Sequence, residues 1–290
     1  LIGALLIGAV LIGFTWFSKP DPTQSPAPSP QDTTQLVTQA PAPAAGATVA
    51  DSVSLDSLGA PVLPPYLQPA QERIVELKNE KLSVKLSTKG GAPVEAVLAD
   101  YLDQSKKPVH LFRKGDARLD LPLRTLENRL VSTADANFSV VESTDSTAVL
   151  RMQIDDVAYL DYAYKLRPAD YRVDLVIRGH ELRRFLPVNI ALQDIQWTQR
   201  IPQQEQSWKF EGQYSGVYYH FPQGDVDRLE TTSESSEDVQ ETLRWVAFKD
   251  KYFSSALIAS ATGFKDNKLS IKAAKEGSGY VRDCSFKGTF

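Results

Sequence analysis

Leu160-Asp161-Tyr162-Ala163-Tyr164-Lys165-Leu166, then Pro168-Ala169-Asp170, then Tyr171-Arg172-Val173-Asp174-Leu175-Val176-Ile177-Arg178 decides the fold class. Leu160, Tyr162, Tyr164 and Leu166 share one side of an extended chain, with Asp161, Lys165 and Arg167 on the other. After the turn, Tyr171, Val173, Leu175 and Ile177 alternate with Arg172, Asp174, Val176 and Arg178. A period of two with one polar face marks half-buried strands, and the Pro-Ala-Asp break marks a turn between neighbours. The pattern recurs upstream, where Leu82, Val84 and Leu86 oppose Ser83, Lys85 and Ser87 ahead of Gly90-Gly91. Further turns are expected at Lys114-Gly115-Asp116 and Pro222-Gln223-Gly224-Asp225. One-sided alternation implies antiparallel sheets packed face to face, not a parallel α/β core. The expected class is all-β, a large antiparallel β-sandwich over residues 71–290. Ser236 to Trp245 is the one stretch that could form a short helical face instead.

The chain before residue 71 reads differently. Leu1 to Phe17 carries no charge and as a helix would reach roughly 25 Å, close to the hydrocarbon thickness of a bilayer. Trp16 and Phe17 stand where an interfacial aromatic belt would lie, ahead of Lys19 and Pro20. No small-x-small cleavage site follows and no lipidation cysteine, so residues 1–19 are expected to be an uncleaved transmembrane anchor. Residues 20–70 hold 11 of the chain's 18 prolines among Ala, Ser, Thr and Gln. Such a composition buries too little apolar surface to offset its ordering entropy, which predicts a disordered linker. The chain opens inside an apolar run with Met152 as its one methionine, and stops at Phe290 within alternating sequence; both ends read as cuts.

Charge and motifs exclude several classes. A net charge of -4 offers no general affinity for polyanions, so nucleic acid is not an expected partner. The single cysteine, Cys284, excludes an intrachain disulfide framework. His110, His180 and His220 lie too far apart in sequence to suggest a metal site. GxSxG, Walker, dinucleotide and HExxH patterns are missing, so neither a cofactor nor a catalytic residue is assigned. The acidic run Ser233 to Asp238 reads as a solvated loop. The aromatics Trp197, Trp208, Tyr214, Tyr218 and Tyr219, with Phe210 and Phe221 nearby, have two readings: a groove that stacks on peptide or sugar, or packing between sheets.

Two segments carry a resemblance. Leu82 to Gly91, continuing through Val94, Val97 and Leu98 to Tyr101, is similar to the opening of the periplasmic domain of the YidC family. Trp245-Val246-Ala247-Phe248-Lys249-Asp250-Lys251-Tyr252-Phe253-Ser254-Ser255-Ala256-Leu257-Ile258-Ala259 resembles that family's most recognisable periplasmic stretch. Trp197, Glu205 and Tyr214-Ser215-Gly216-Val217-Tyr218-Tyr219 fit between them in order. The apolar opening and long linker look like the Bacteroidota version. The resemblance implies a β-supersandwich in the periplasm, anchored to the inner membrane by one helix in contact with lipid. It implies a non-enzymatic role in inserting and folding nascent inner-membrane proteins, alone or with Sec translocon components. The insertase core of five further helices would lie outside this sequence. The alternative is a tethered periplasmic carbohydrate-binding or sugar-processing sandwich; a purely structural envelope protein ranks third. Residues 245–259 are expected to form a covered, central strand, with Phe253, Ser255, Leu257 and Ala259 on one side.

Overall fold

The computed structural model describes residues 63–187, 193–229, 233–260 and 262–290. The expected anchor, residues 1–19, and the expected linker up to residue 62 lie outside them. No helix among the described residues is long and apolar enough to cross a membrane. The described end of the expected linker is folded: Pro65–Leu67 forms a 3-10 turn and Tyr66 is only 5% exposed, edge-on to Phe185. Asn137 clasps this turn, its N–H donating to the Tyr66 carbonyl and its amide to the Gln68 carbonyl. Prolines 64 and 65 preset the turn's φ while Tyr66 supplies apolar area. Residues Pro65–Leu67 thus pack on the region that follows.

Alternation becomes strand wherever one row of side chains finds a core. Strands β1 (Ile74–Lys78), β2 (Leu82–Ser87), β3 (Pro93–Leu102) and β4 (Pro108–Phe112) form an antiparallel sheet in sequence order. After β5 (Ala117–Asp120) and the small hairpin of β6 (Pro122–Arg124) and β7 (Leu130–Ser132), a second four-stranded sheet follows. It contains β8 (Ser139–Ser143), β9 (Thr147–Gln153), β10 (Tyr159–Leu166) and β11 (Val173–His180), again with sequence neighbours paired. Leu77, Leu82, Val84 and Leu86 on one sheet meet Leu150, Met152, Tyr162, Tyr164 and Leu166 on the other in one core. Each fully buried large side chain there contributes about 1.5–3 kcal/mol relative to exposure.

A second core sits beside the first. Strand β12 (Asp194–Pro202) leads to the helical turn α1 (Trp208–Gly212), then β13 (Gly216–His220), β14 (Val226–Arg228) and β15 (Glu234–Val239). Strands β16 (Trp245–Lys249), β17 (Ser254–Ile258), β18 (Lys265–Ala273) and β19 (Tyr280–Thr289) complete the chain. One sheet runs β15-β18-β19-β12-β5 and the other β14-β13-β16-β17. Trp197, Val217, Tyr219, Val246, Phe248, Leu269, Ile271 and Phe286 fill the space between them. The expected antiparallel β-sandwich is thus present as two cores, with β5 paired into the second half's sheet.

Four local expectations change. Ser236 to Val239 is strand, not helix, and the acidic run is edge strand β15, not a loop. Its carboxylates sit opposite lysines of β18, Asp238 near Lys268 at 3.4 Å and Glu234 near Lys272 at 3.8 Å; Val239 anchors its end in the core. Tyr171 precedes β11 on the surface instead of joining the inner row. The block 245–259 is a hairpin: β16 is central and covered, but β17 is a half-exposed edge. Asp250 makes the break, its carboxylate accepting from the Lys251 N–H and its own N–H donating to the Phe253 carbonyl.

Candidate functional site

The five aromatics singled out from sequence do not form one groove. Trp197 lies flat on Phe248 with centroids 3.8 Å apart, inside the second core. Tyr219 is buried there too, its hydroxyl donating to Glu237 Oε2 at 2.9 Å. Trp208, on α1, donates from Nε1 to the Tyr280 carbonyl at 2.9 Å and fixes α1 against β19. Tyr214, 47% exposed, and half-buried Tyr218 face outward. The period of two separates Tyr218 from Tyr219, and composition alone could not say which of them faces the core.

An exposed aromatic surface does exist, built largely from other residues. On the outer face of the β14-β13-β16-β17 sheet, the register places Ile258, Trp245, His220 and Val226 in one cross-strand row. His220 stacks on Trp245 at 5.3 Å. Tyr218 and Ala247 form the next row, with Lys249 Nζ 5.7 Å above the Tyr218 ring. In the β16–β17 turn, Lys251 Nζ lies 4.6 Å from the Phe210 ring and 4.4 Å from the Tyr252 ring. Phe210 meets Tyr214 at 5.2 Å, while Phe253, partly buried against the first core, meets Tyr101 of β3 at 5.1 Å. Cation–π contacts of this kind hold aromatic faces at the surface that would otherwise have no polar partner. The surface presents rings and small residues, suited to apolar or amphipathic chains rather than to proton transfer.

Behind this surface lies a buried carboxyl pair that sequence gave no sign of. Glu211 lies within α1, whose N-cap Ser207 accepts from the Phe210 N–H at 3.2 Å. The Glu211 carboxyl accepts from the N–H groups of Gln204 and Glu205 at 2.9 and 3.1 Å and faces Asp250. Burial first, then the neighbouring Asp250, push Glu211 up to about 8; burial also raises Asp250. Glu211 is therefore held protonated at neutral pH, because two adjacent buried carboxylates cannot both ionise cheaply. Ser215 Oγ donates to Asp250 Oδ1 at 3.3 Å. The two residues are far apart in sequence and only the fold brings the β12–β13 connection onto the β16–β17 turn.

The three histidines stay apart, on β4, at the end of β11 and at the end of β13. Among the described residues, no group of three or more His, Cys, Asp or Glu side chains is placed to hold a metal ion. Burial lowers the His110 pKa, and Cys284 is buried in the second core.

Comparison with known proteins places this fold in context. A family profile described as the YidC periplasmic domain matches residues 74–287. The chain is 41% identical over 302 residues to the membrane protein insertase YidC of Porphyromonas gingivalis, covering 100% of this chain and 48% of that protein. It is 31% identical over 295 residues to the same-named protein of Bacteroides fragilis, covering 98% of this chain and 46% of that one. The chain spans about half the length of these curated relatives. Among solved structures, a galactose mutarotase related enzyme from Lactobacillus acidophilus shares 8% identity, covering 75% of this chain and 85% of that one with a TM-score of 0.45. With the profile spanning both sandwiches and relatives aligned along its whole length, this chain belongs to the YidC family of membrane protein insertases, and residues 74–287 are its periplasmic domain.

Proposed function

We propose that this chain serves insertion and folding of nascent inner-membrane proteins, as the part of an insertase that stands in the periplasm. The match of the YidC periplasmic-domain profile over residues 74–287 carries this reading. Residues 1–19 act as the anchor in lipid and residues 20–70 as a tether, in keeping with their apolar and proline-rich sequences. The partners are nascent membrane proteins and Sec translocon components, met through the two sandwiches. The surface chemistry supports binding rather than turnover: the exposed groups are aromatic rings, small residues and lysines held over rings. A sugar-stacking groove that used Trp197 and Tyr219 is at odds with their burial in the second core.

Complementation tests it. The gene encoding this chain with its natural flanking sequence is expressed in Gram-negative cells depleted of their own insertase, and a single-span reporter is followed by protease accessibility. Restored insertion is the expected result; normal accumulation of the protein with no restored insertion would overturn the proposal.

A further inference from the structure

Strand β17 pairs with β16 on one side and, among the described residues, with no strand on the other. The register fixes which groups face that free edge. The Asp250 N–H donates to the Phe253 carbonyl and the Ala259 N–H to the Arg244 carbonyl, at 2.8 and 3.0 Å. In this ladder Ser255 and Leu257 turn their backbone groups toward β16, so Ser254, Ala256 and Ile258 turn theirs outward. None of these outward groups has a hydrogen-bond partner among the described residues.

The other edges of the four larger sheets are guarded. Strand β4 starts at Pro108, and its His110 and Leu111 carbonyls accept from the Gln204 and Gln199 amides at 2.8 and 3.1 Å. Strands β1, β5, β11, β14 and β15 each carry charged side chains, and β8 carries Glu142 beside a shift in register. Charges, prolines and bulges are the usual devices against strand addition. Strand β17, Ser-Ser-Ala-Leu-Ile, has no charge, no proline and an unbroken register.

Size and polarity identify the occupant. The exposed side chains next to the free edge are small at Ser254 and Ala256, then apolar at Ile258, which is 54% exposed beside Trp245. At the turn, exposed Tyr252 extends the apolar surface. Cross-strand neighbours lie about 4.5–5.5 Å apart, so small residues here leave room for large ones on an incoming strand. A second copy of β17 paired about its centre would set Ala256 against Ala256 and Ser254 against Ile258, with little apolar area covered. We infer that the free edge of β17 accepts, as an added β-strand, an extended uncharged polypeptide segment with large apolar side chains at alternate positions. Main-chain hydrogen bonds supply the attachment, and the flanking rings select apolar side chains. The inference rests on the proposed function only for the source of that segment, a client membrane protein, and complementation tests that function separately.

Amide hydrogen exchange on the full 290-residue chain in detergent micelles tests it. The probe is a capped peptide that alternates threonine with phenylalanine or valine; the control has glutamate at the apolar positions. Saturating probe is expected to slow exchange at Ser254, Ala256 and Ile258 by about tenfold or more, with no such effect from the control. Ala256→Pro removes the central outward N–H and should abolish protection at Ser254 and Ile258. Should that variant misfold, Ile258→Lys alters only an exposed side chain and should weaken the effect. Unchanged exchange at all three amides under saturating probe overturns the inference. So does protection without probe: if lost on dilution it assigns the edge to a second copy, and if kept at every dilution to another part of this chain.

Discussion

The Tyr164 hydroxyl donates a 2.7 Å hydrogen bond to the Gly91 carbonyl, joining the two sheets of the first sandwich. Gly91 sits in the β2–β3 turn at φ +65°, and a Cβ there would lie 2.8 Å from the Phe138 ring. Only glycine suits that backbone and that approach. Tyr164→Phe should cost about 1–3 kcal/mol, the penalty of an orphaned buried acceptor. Gly91→Ala should cost about 2 kcal/mol or more, from left-handed strain and overpacking together. Urea denaturation of the two variants checks both; a midpoint unchanged in Gly91→Ala would mean that the turn has another conformation.

The hairpin 245–259 separates a central from an edge strand. Phe248 is buried against Trp197, whereas Leu257 only borders the second core. Phe248→Ala should cost about 3–5 kcal/mol and Leu257→Ala about 1–2 kcal/mol. Equal shifts for the two variants would contradict the edge position of β17.

Cys284 is buried and burial raises its thiol pKa, so little thiolate forms at neutral pH. A thiol reagent should react with it at the rate of unfolding in native buffer and at once in denaturant. Rapid reaction in native buffer would show a more open second core.

The Glu211–Asp250 pair makes a pH prediction. Glu211 is raised from 4.5 to about 8 in the folded chain, so the folded state holds a proton that the unfolded state releases. This contribution is complete below about pH 4.5, declines as pH rises, and is gone above about pH 8. Asp250 is raised as well and acts in the same direction. Glu211→Gln should flatten the fall in stability between those limits, measured as the denaturation midpoint against pH. An identical slope in the variant would mean that Glu211 is not held protonated in the folded chain.

Much of the architecture could be read from alternation. The inner rows Leu82-Val84-Leu86 and Leu160-Tyr162-Tyr164-Leu166 face the first core as period two requires. Alternation names a face but not a strand's neighbours, so it could not make β17 an edge or place β5 in the second half's sheet. The acidic run escaped notice as a strand because its carboxylates look solvated until the lysines of β18 are opposite them. The aromatic surface was only half visible. Tyr214 and Tyr218 lie on it, but Trp245 and Tyr252 join it through register and the position of one turn. The Glu211–Asp250 pair depends on tertiary contact alone.

The sidedness of the folded domain is the most direct test, and the burial of Cys284 makes it clean. Glu276→Cys places a thiol in the exposed β18–β19 turn, in the protein with its natural flanking sequence, expressed in Gram-negative cells. A membrane-impermeant maleimide is added to intact spheroplasts and, separately, to lysed ones. A periplasmic domain gives equal labelling of Glu276→Cys in both, above the labelling of the unsubstituted protein. Labelling of Glu276→Cys only after lysis would place the two sandwiches in the cytoplasm and contradict the role proposed for them.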